Sequence, residues 1–352
     1  MSPAAEPSAP SAAVPAPATS PSADGTAVAE SPLLSVRDLV TSFPIRSTLL
    51  RREVGRIEAV AGVSFDLPAG RTLGIVGESG SGKSTLARTV VGLARATAGS
   101  VTFDGTDLTA APPAEVRRRR RDIQMIFQDP YASLNPGRTV RQLVTEAWQI
   151  HPDVVPRDRW AAELGELLER VGLDPDHADR YPHQFSGGQR QRIGIARAIA
   201  LRPRLVICDE PVSALDVSIQ AQVLNLLRDL QRDLGLTYLF ISHDLSVVRH
   251  VADRVAVLYL GRIVEEAPTA EIFAAPTHPY TQALLSAVPR LRPWREAGPE
   301  PIVLAGDIPS PANPPSGCRF RTRCPRVADV CAAEAPALTI RGSHPAACHF
   351  AG

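Results

Sequence analysis

Short unbroken apolar runs recur along the chain, most of them followed by a longer amphipathic stretch. Leu33–Leu39 and Ala59–Leu67 read as strands, separated by a basic loop at 46–56 that carries Arg46, Arg51, Arg52 and Arg56. Leu73–Val76, Val101–Phe103, Ile123–Phe127, Leu205–Cys208, Tyr238–Ser242 and Arg254–Leu260 are further segments of strand length. A short continuous apolar run marks a strand buried on both faces. Helical patterns lie at about Lys83–Leu93, 138–150, 157–171 and Val217–Leu234, and another opens near Gln189, where the Ser186-Gly187-Gly188 cluster can cap it. Strands that alternate with helices predict an α/β fold, a mostly parallel sheet covered on both faces.

Two regions break this pattern. Residues 1–32 are nearly all Ala, Pro and Ser. Such a segment buries too little apolar surface to offset its ordering entropy and is predicted to be disordered. It lacks the basic start and apolar stretch of a signal peptide. From Pro289 proline is frequent again, and the last 60 residues read as a loop-rich appendage. No apolar run approaches the ~18 residues that a membrane-crossing helix needs. The formal net charge of +1 gives no electrostatic case for a nucleic-acid partner, and the run Arg117–Arg121 reads as a solvated face.

One compositional fact changes the picture. Among 38 basic residues the only lysine is Lys83. A chain that uses arginine everywhere else keeps a compact ammonium where a planar fork does not fit. The segment Gly77-Glu-Ser-Gly-Ser-Gly-Lys83-Ser84-Thr85 matches G-x-x-x-x-G-K-[ST], after a buried strand and before a helix. Gly77, Ser79, Gly80 and Gly82 let backbone N–H groups turn toward phosphate oxygens at a helix N-terminus. Lys83 is expected to reach the β- and γ-phosphates and Ser84 to ligate Mg²⁺, with Thr85 completing the motif at the helix start. The strand Leu205–Cys208 runs into Asp209 and Glu210 at its carboxyl end, where open α/β sheets bind ligands. Asp209 suits the Mg²⁺ shell and Glu210 the polarisation of an attacking water.

Ser186-Gly187-Gly188-Gln189 stands 20 residues before Asp209, and Gln128, Ser213-Ala214-Leu215-Asp216 and His243 keep the same order. Over about residues 33–290 the chain resembles the ATP-binding cassette (ABC) family, with Phe185 where Leu is commoner before the signature. The resemblance implies a P-loop ATPase fold with a mostly parallel core, an antiparallel β subdomain and a helical subdomain at about 129–190. It implies that Gln128 contacts Mg²⁺ and senses a membrane partner, and that Ser186, Gly187, Gly188 and Gln189 bind the γ-phosphate of ATP held by a facing subunit. It further implies that Glu210 acts on water, His243 holds the γ-phosphate, Asp216 bridges the dimer and Phe43 stacks on adenine. The nucleotide-binding domain then spans 33–270 and a C-terminal region 271–352.

Soluble, non-transport cassettes of DNA repair or translation are the rival class. About 100 residues without heptads separate Lys83 from Ser186, too few for a chromosome-maintenance coiled coil, and there is one cassette where translation factors carry two. No N-K-x-D segment supports a GTPase. Ile123–Pro136, Thr277-His-Pro-Tyr-Thr281 and a four-Cys tail together resemble the ATPases of oligopeptide/dipeptide (and nickel) importers, with a start like the F-type subunit. That resemblance implies a D-type ATPase partner or a homodimer, two membrane permeases, an extracellular substrate-binding protein and a peripheral place on the cytoplasmic face of the membrane.

Cys318, Cys324, Cys331 and Cys348 crowd into the last 35 residues, whereas Cys208 sits inside a buried strand as a plain hydrophobe. Four thiolates can hold tetrahedral Zn²⁺ or an iron–sulfur cluster; the absence of tight C-x₂₋₄-C pairs leans against zinc. The importer resemblance implies a [4Fe–4S] cluster. Their distance in sequence from every nucleotide residue predicts a structural role, separate from ATP binding.

Overall fold

A computed structural model describes residues 31–46, 52–288 and 300–351. The N-terminal tail to residue 30, the middle of the basic loop with Arg51, and residues 289–299 lie outside the described residues. The strands in chain order are β1 (Leu34–Arg46), β2 (Glu53–Leu67), β3 (Thr72–Val76), β4 (Ala98–Phe103), β5 (Thr106–Asp107) and β6 (Ile123–Ile126). They continue as β7 (Leu205–Asp209), β8 (Thr237–Ser242), β9 (Arg254–Tyr259), β10 (Arg262–Pro268), β11 (Thr339–Arg341) and β12 (His344–Ala346). One sheet of eight strands has the order β11-β12-β10-β9-β3-β8-β7-β6; a second, of four, has the order β2-β1-β4-β5.

The five strands β9-β3-β8-β7-β6 are parallel. Every residue of β3, β7 and β8 is buried, as their continuous apolar runs require. Alternate residues feed two cores on opposite faces. Leu73, Ile75, Ile207, Leu239 and Ile241 join the antiparallel sheet and the helix Lys83–Val90. Val76, Val206, Cys208 and Phe240 face the helical layer. Cys208 is fully buried, and burial pushes its thiol pKa up. In the helical layer Trp148 is 1% exposed and donates its indole N–H to Ala200 O at 2.9 Å.

The basic loop is shorter than expected. β1 runs on through Arg46 and β2 begins at Glu53, with Arg46 paired to Glu53 and Pro44 to Arg56. The apolar residues of this hairpin end, Phe43, Ile45, Val54 and Ile57, are exposed or half-buried, and Pro44 and Gly55 interrupt the alternation that would mark them as strands. The arginine run lies on the helix Pro113–Arg119 and the turn after it; Arg119 meets Asp104 at 3.2 Å and Arg121 meets Asp153 at 2.6 Å.

The C-terminal residues are stitched to the antiparallel edge of the large sheet. β12 pairs with β10 at Ala346 and Glu265. Glu265, fully buried, accepts from Thr277 N (2.7 Å), Thr277 Oγ1 (2.9 Å) and His278 N (3.0 Å), and lies 2.6 Å from His344 Nε2. The segment read as Thr-His-Pro-Tyr is thus a helix start: His278 caps the helix Pro279–Ser286 through Nδ1, which accepts from Tyr280 N at 3.1 Å. Phe320, 1% exposed, inserts its ring among Tyr259 (5.2 Å), Tyr280 (5.4 Å) and His278 (5.6 Å).

Candidate functional site

Parallel register places the site. Val76 pairs with Ser242, Asp209 with Ile241, and Ile126 with Cys208. The residues that follow these strands, Gly77, His243, Glu210 and Gln128, therefore emerge along one rim. Gln128, Glu210 and His243 line a cleft of ≈ 770 Å³ together with Ser79, Gly80, Gly82, Lys83, Ser84 and Thr85.

Gly82 precedes the helix Lys83–Val90 with φ 105°, and a Cβ there would stand 2.1 Å from Ala59 O. Only glycine permits both the left-handed turn and that approach. Lys83, 4% exposed, donates to Gly77 O (2.7 Å) and Glu78 O (2.9 Å). Burial lowers its pKa, opposed by Glu210, Asp209 and Glu78. Ser84 Oγ donates to Asp209 Oδ1 at 2.8 Å. Burial raises the Asp209 pKa, partly offset by that bond and by the charges of Arg88 and Lys83. A hydroxyl and a buried carboxylate in contact, with a lysine beside them, form a donor set that fits Mg²⁺ and phosphate oxygens. The Ser81 hydroxyl, buried with no partner among the described residues, is a further donor for the loop's ligand.

Glu210 holds φ at 48°, a strained conformation for a side chain of its size. Its Oε2 accepts from Gln128 Nε2 at 2.9 Å and lies 3.1 Å from His243 Nδ1. Three residues separated widely in sequence thus meet on one oxygen beside the phosphate loop. Glu210 is 12% exposed and His243 54%, so the triad opens outward.

The remaining expected residues do not line this cleft. Ser186 caps the helix Gly187–Ile199 in a reciprocal box: its hydroxyl accepts from Gln189 N at 3.3 Å, and Gln189 Oε1 accepts from Ser186 N at 3.0 Å. A Cβ at Gly188 would stand 2.6 Å from Ile219 Cγ2. Asp216 is exposed at the N-terminus of the helix Val217–Leu234 with no side-chain capping bond. Phe43 is 45% exposed on β1.

The four tail thiols share one neighbourhood. Cys318 N donates to Cys331 O at 2.8 Å, and burial followed by Cys331, Cys324 and Cys348 pushes the Cys318 thiol pKa up. As a donor set they suit a thiolate-bound centre. Their placement does not: among the described residues no group of three or more His, Cys, Asp or Glu side chains is arranged to hold a metal ion.

Sequence reasoning missed three residues at the loop. Glu78, an unspecified position of the motif, is gripped by Arg323 at 2.6 and 3.1 Å, and its N–H donates to Tyr280 OH at 2.9 Å. A carboxylate among phosphate-binding amides was the available signal; its partner, 245 positions away, left none.

Residues 60–213 match the family described as ABC transporter, and residues 264–331 the one described as oligopeptide/dipeptide transporter, C-terminal region. The chain is 54% identical over 327 residues to the oligopeptide transport ATP-binding protein AppF of Bacillus subtilis (strain 168), covering 92% of this chain and 99% of that protein. It is 53% identical over 320 residues to a putative peptide import ATP-binding protein of Brucella ovis, covering 91% and 98%. In structure it is similar to the ATP-binding cassette MJ0796, solved as a dimer in a post-hydrolysis state bound to ADP and Pi. The TM-score is 0.60, with 27% identity, 67% of this chain covered and 98% of that one. With the phosphate loop, the acid pair and the outlying signature helix in place, the chain belongs to the ABC transporter ATPase family, in its oligopeptide-transport branch.

Proposed function

We propose that this ATPase powers uptake of oligopeptides or dipeptides, or of nickel or a related solute, through two membrane permeases fed by an extracellular binding protein. The chain would sit peripherally on the cytoplasmic face of the membrane; among the described residues no helix is long and apolar enough to cross it. The observation that carries the ATPase reading is the meeting of Gln128 and His243 on Glu210 beside Lys83 and the Ser84–Asp209 pair. The importer reading draws support from the match of the C-terminal region and from the relatives' names, which do not favour a soluble repair or translation cassette.

In this reading the loop amides and Ser79 to Thr85 cradle the phosphates, and Lys83 exchanges its two carbonyl partners for β- and γ-oxygens. Mg²⁺, when bound by Ser84, Asp209 and Gln128, neutralises charge building on those oxygens. Glu210 orients a water against the γ-phosphorus and takes its proton as the bond to the bridging oxygen breaks, releasing ADP and phosphate. His243 holds the γ-phosphate. Ser186 stands exposed and Gly187–Gln189 half-buried, outside their own cleft, which suits delivery to a facing subunit, a D-type partner or a second copy, with Asp216 at the joint and Phe43 against adenine. Residues 33–270 act as the nucleotide-binding domain and 271–352 as its C-terminal region. A [4Fe–4S] centre on the tail thiols, with zinc as the alternative, is proposed from their chemistry as a donor set alone and would require the four side chains to rearrange from their places here; iron and acid-labile sulfide in anaerobically purified protein test this, and a colourless product rejects the cluster.

The test of the ATPase assignment is Glu210→Gln combined with the matching change in any partner ATPase. ATP binding is expected to persist while turnover drops by about 10³-fold. Unchanged turnover would remove Glu210 from the reaction.

A further inference from the structure

The segment Cys318–Cys324 reaches the phosphate loop from two sides. On one side the Arg323 guanidinium, 8% exposed, forms a two-point ion pair with Glu78: Nη1 to Oε2 at 2.6 Å and Nη2 to Oε1 at 3.1 Å. Glu78 is held at two further points. Its N–H donates to Tyr280 OH at 2.9 Å, and its carbonyl accepts from Lys83 Nζ at 2.9 Å. On the other side Arg319, 11% exposed, donates to Leu260 O and lies 3.4 Å from Glu58. Leu260 opens the β9–β10 turn with φ 43°, and the next residue, Gly261, donates its N–H to Ser81 O at 2.8 Å. Phe320, between the two arginines, is locked into the Tyr259–Tyr280 pocket. Leu284 and Ile308, both from the C-terminal region, form part of the cleft wall.

Charge gives this contact a direction. Glu78 places a carboxylate in a loop whose task is to receive a polyanion. Left alone, it would repel the incoming phosphates at close range in a partly desolvated site, where screening is weak. The paired, two-point guanidinium cancels that charge and fixes the Glu78 carboxylate on the tail side. We infer that Arg323 is a positioning residue for ATP: through Glu78 it neutralises and braces the phosphate loop, so that docking of the tail sets nucleotide affinity. Arg319 supplies a second brace through Leu260 and Gly261. The tail and the cleft are then coupled, and by linkage bound ATP must also tighten the tail.

The inference rests on the reading of the loop as an ATP site, and the experiment separates the two. ATP affinity is measured by titration of the full chain and of three variants, with thermal melting as the check on folding. Arg323→Ala is expected to weaken ATP binding roughly ten- to thirtyfold, since loss of one partner of a half-buried, two-point pair leaves the other charge uncompensated. Glu78→Gln added to Arg323→Ala should recover most of that loss, because the repelling carboxylate has gone. Arg321→Ala, whose guanidinium bonds Ser316 at 3.0 Å instead of the loop, should bind ATP like the parent. No ATP binding by the parent chain would remove the nucleotide reading itself. Parent-like binding by Arg323→Ala would overturn the inference alone. A double variant as weak as Arg323→Ala would also overturn it, by showing that the arginine merely holds the tail in place.

Discussion

The ATP cleft and the C-terminal tail are built by opposite means, although they touch. The cleft is made from the ends of parallel strands whose every residue is buried, so its functional groups inherit their positions from a stiff sheet. The tail has, among its described residues past 300, one short helix and two strands of three residues. Beyond the short β12–β10 pairing it is fixed by single side chains: Phe320 in an aromatic pocket, Arg323 on Glu78, His344 on Glu265. A site resting on shared backbone register tolerates the loss of one side chain's anchoring. A segment resting on a handful of long-range side chains does not.

Matched glycine changes test this contrast most severely. Gly82→Ala drives a Cβ to 2.1 Å from Ala59 O at φ 105°, and Gly317→Ala drives one to 2.4 Å from Cys331 O at φ 62°. The first has no escape within the sheet and should cost about 3 kcal/mol or more of global stability, read by urea unfolding. The second can be relieved by undocking the tail, so global unfolding should shift little while proteolysis at the tail arginines accelerates. Equal global losses would erase the distinction between the two regions.

A smaller effect is expected for Phe320→Ala. Removal of a buried phenyl ring costs about 3–5 kcal/mol where the surroundings cannot yield. Here the loss should fall on tail docking, so the main melting transition should move by only a few degrees while ATP affinity falls with it. A large drop in the melting point with unchanged ATP affinity would place the ring in the global core instead.

The mildest perturbation is acid, nil at neutral pH and growing below it. Burial lowers the His278 pKa to about 4, against the pull of Glu265. The folded tail therefore binds fewer protons than the released tail, in which histidine titrates near 6.5. Docking is at full strength above about pH 6.5 and weakens as the pH falls toward 4. Burial would raise the Glu265 pKa, yet the bonds from His344 and Thr277 outweigh it and leave the pKa lowered. Its contribution is likewise lost on the acid side, below its ordinary value of 4.5. Proteolytic release of the tail, followed from pH 7.5 to 4.5, should rise before the cassette unfolds; a flat profile would show that His278 stays docked and neutral by other means.

The same contrast governs what the sequence makes legible. Lys83, Asp209 and Glu210 announce themselves because each motif is contiguous and sits where a buried strand ends. Ser186 is visible as a helix cap, and the cap is there. The strands β10 and β12 and the buried Glu265 give no comparable sign, since a lone carboxylate on a short strand reads as solvent-facing until His344 and Thr277 are brought to it by the fold. The extended ends of β1 and β2 are hidden for the converse reason: their apolar residues Phe43, Ile45, Val54 and Ile57 are exposed or half-buried, and Pro44 and Gly55 break the pattern. The separation of the Cys segment from the nucleotide residues, taken in the sequence as distance, vanishes in space: Arg323, next to Cys324, grips the second residue of the phosphate loop.

That grip also imposes an order in time. Glu78 and Arg323 are 245 positions apart. At a synthesis rate of about 5–20 residues per second, the arginine follows the glutamate out of the ribosome by roughly 12–50 s. Throughout that interval the nascent chain carries the loop with its carboxylate unbalanced, and β3 itself waits for β8 and β9 to arrive. If Arg323 positions ATP as inferred, full affinity is conferred last, by residues near the carboxyl end, and an interrupted translation product that has every nucleotide motif up to His243 holds ATP more weakly for want of that counter-charge.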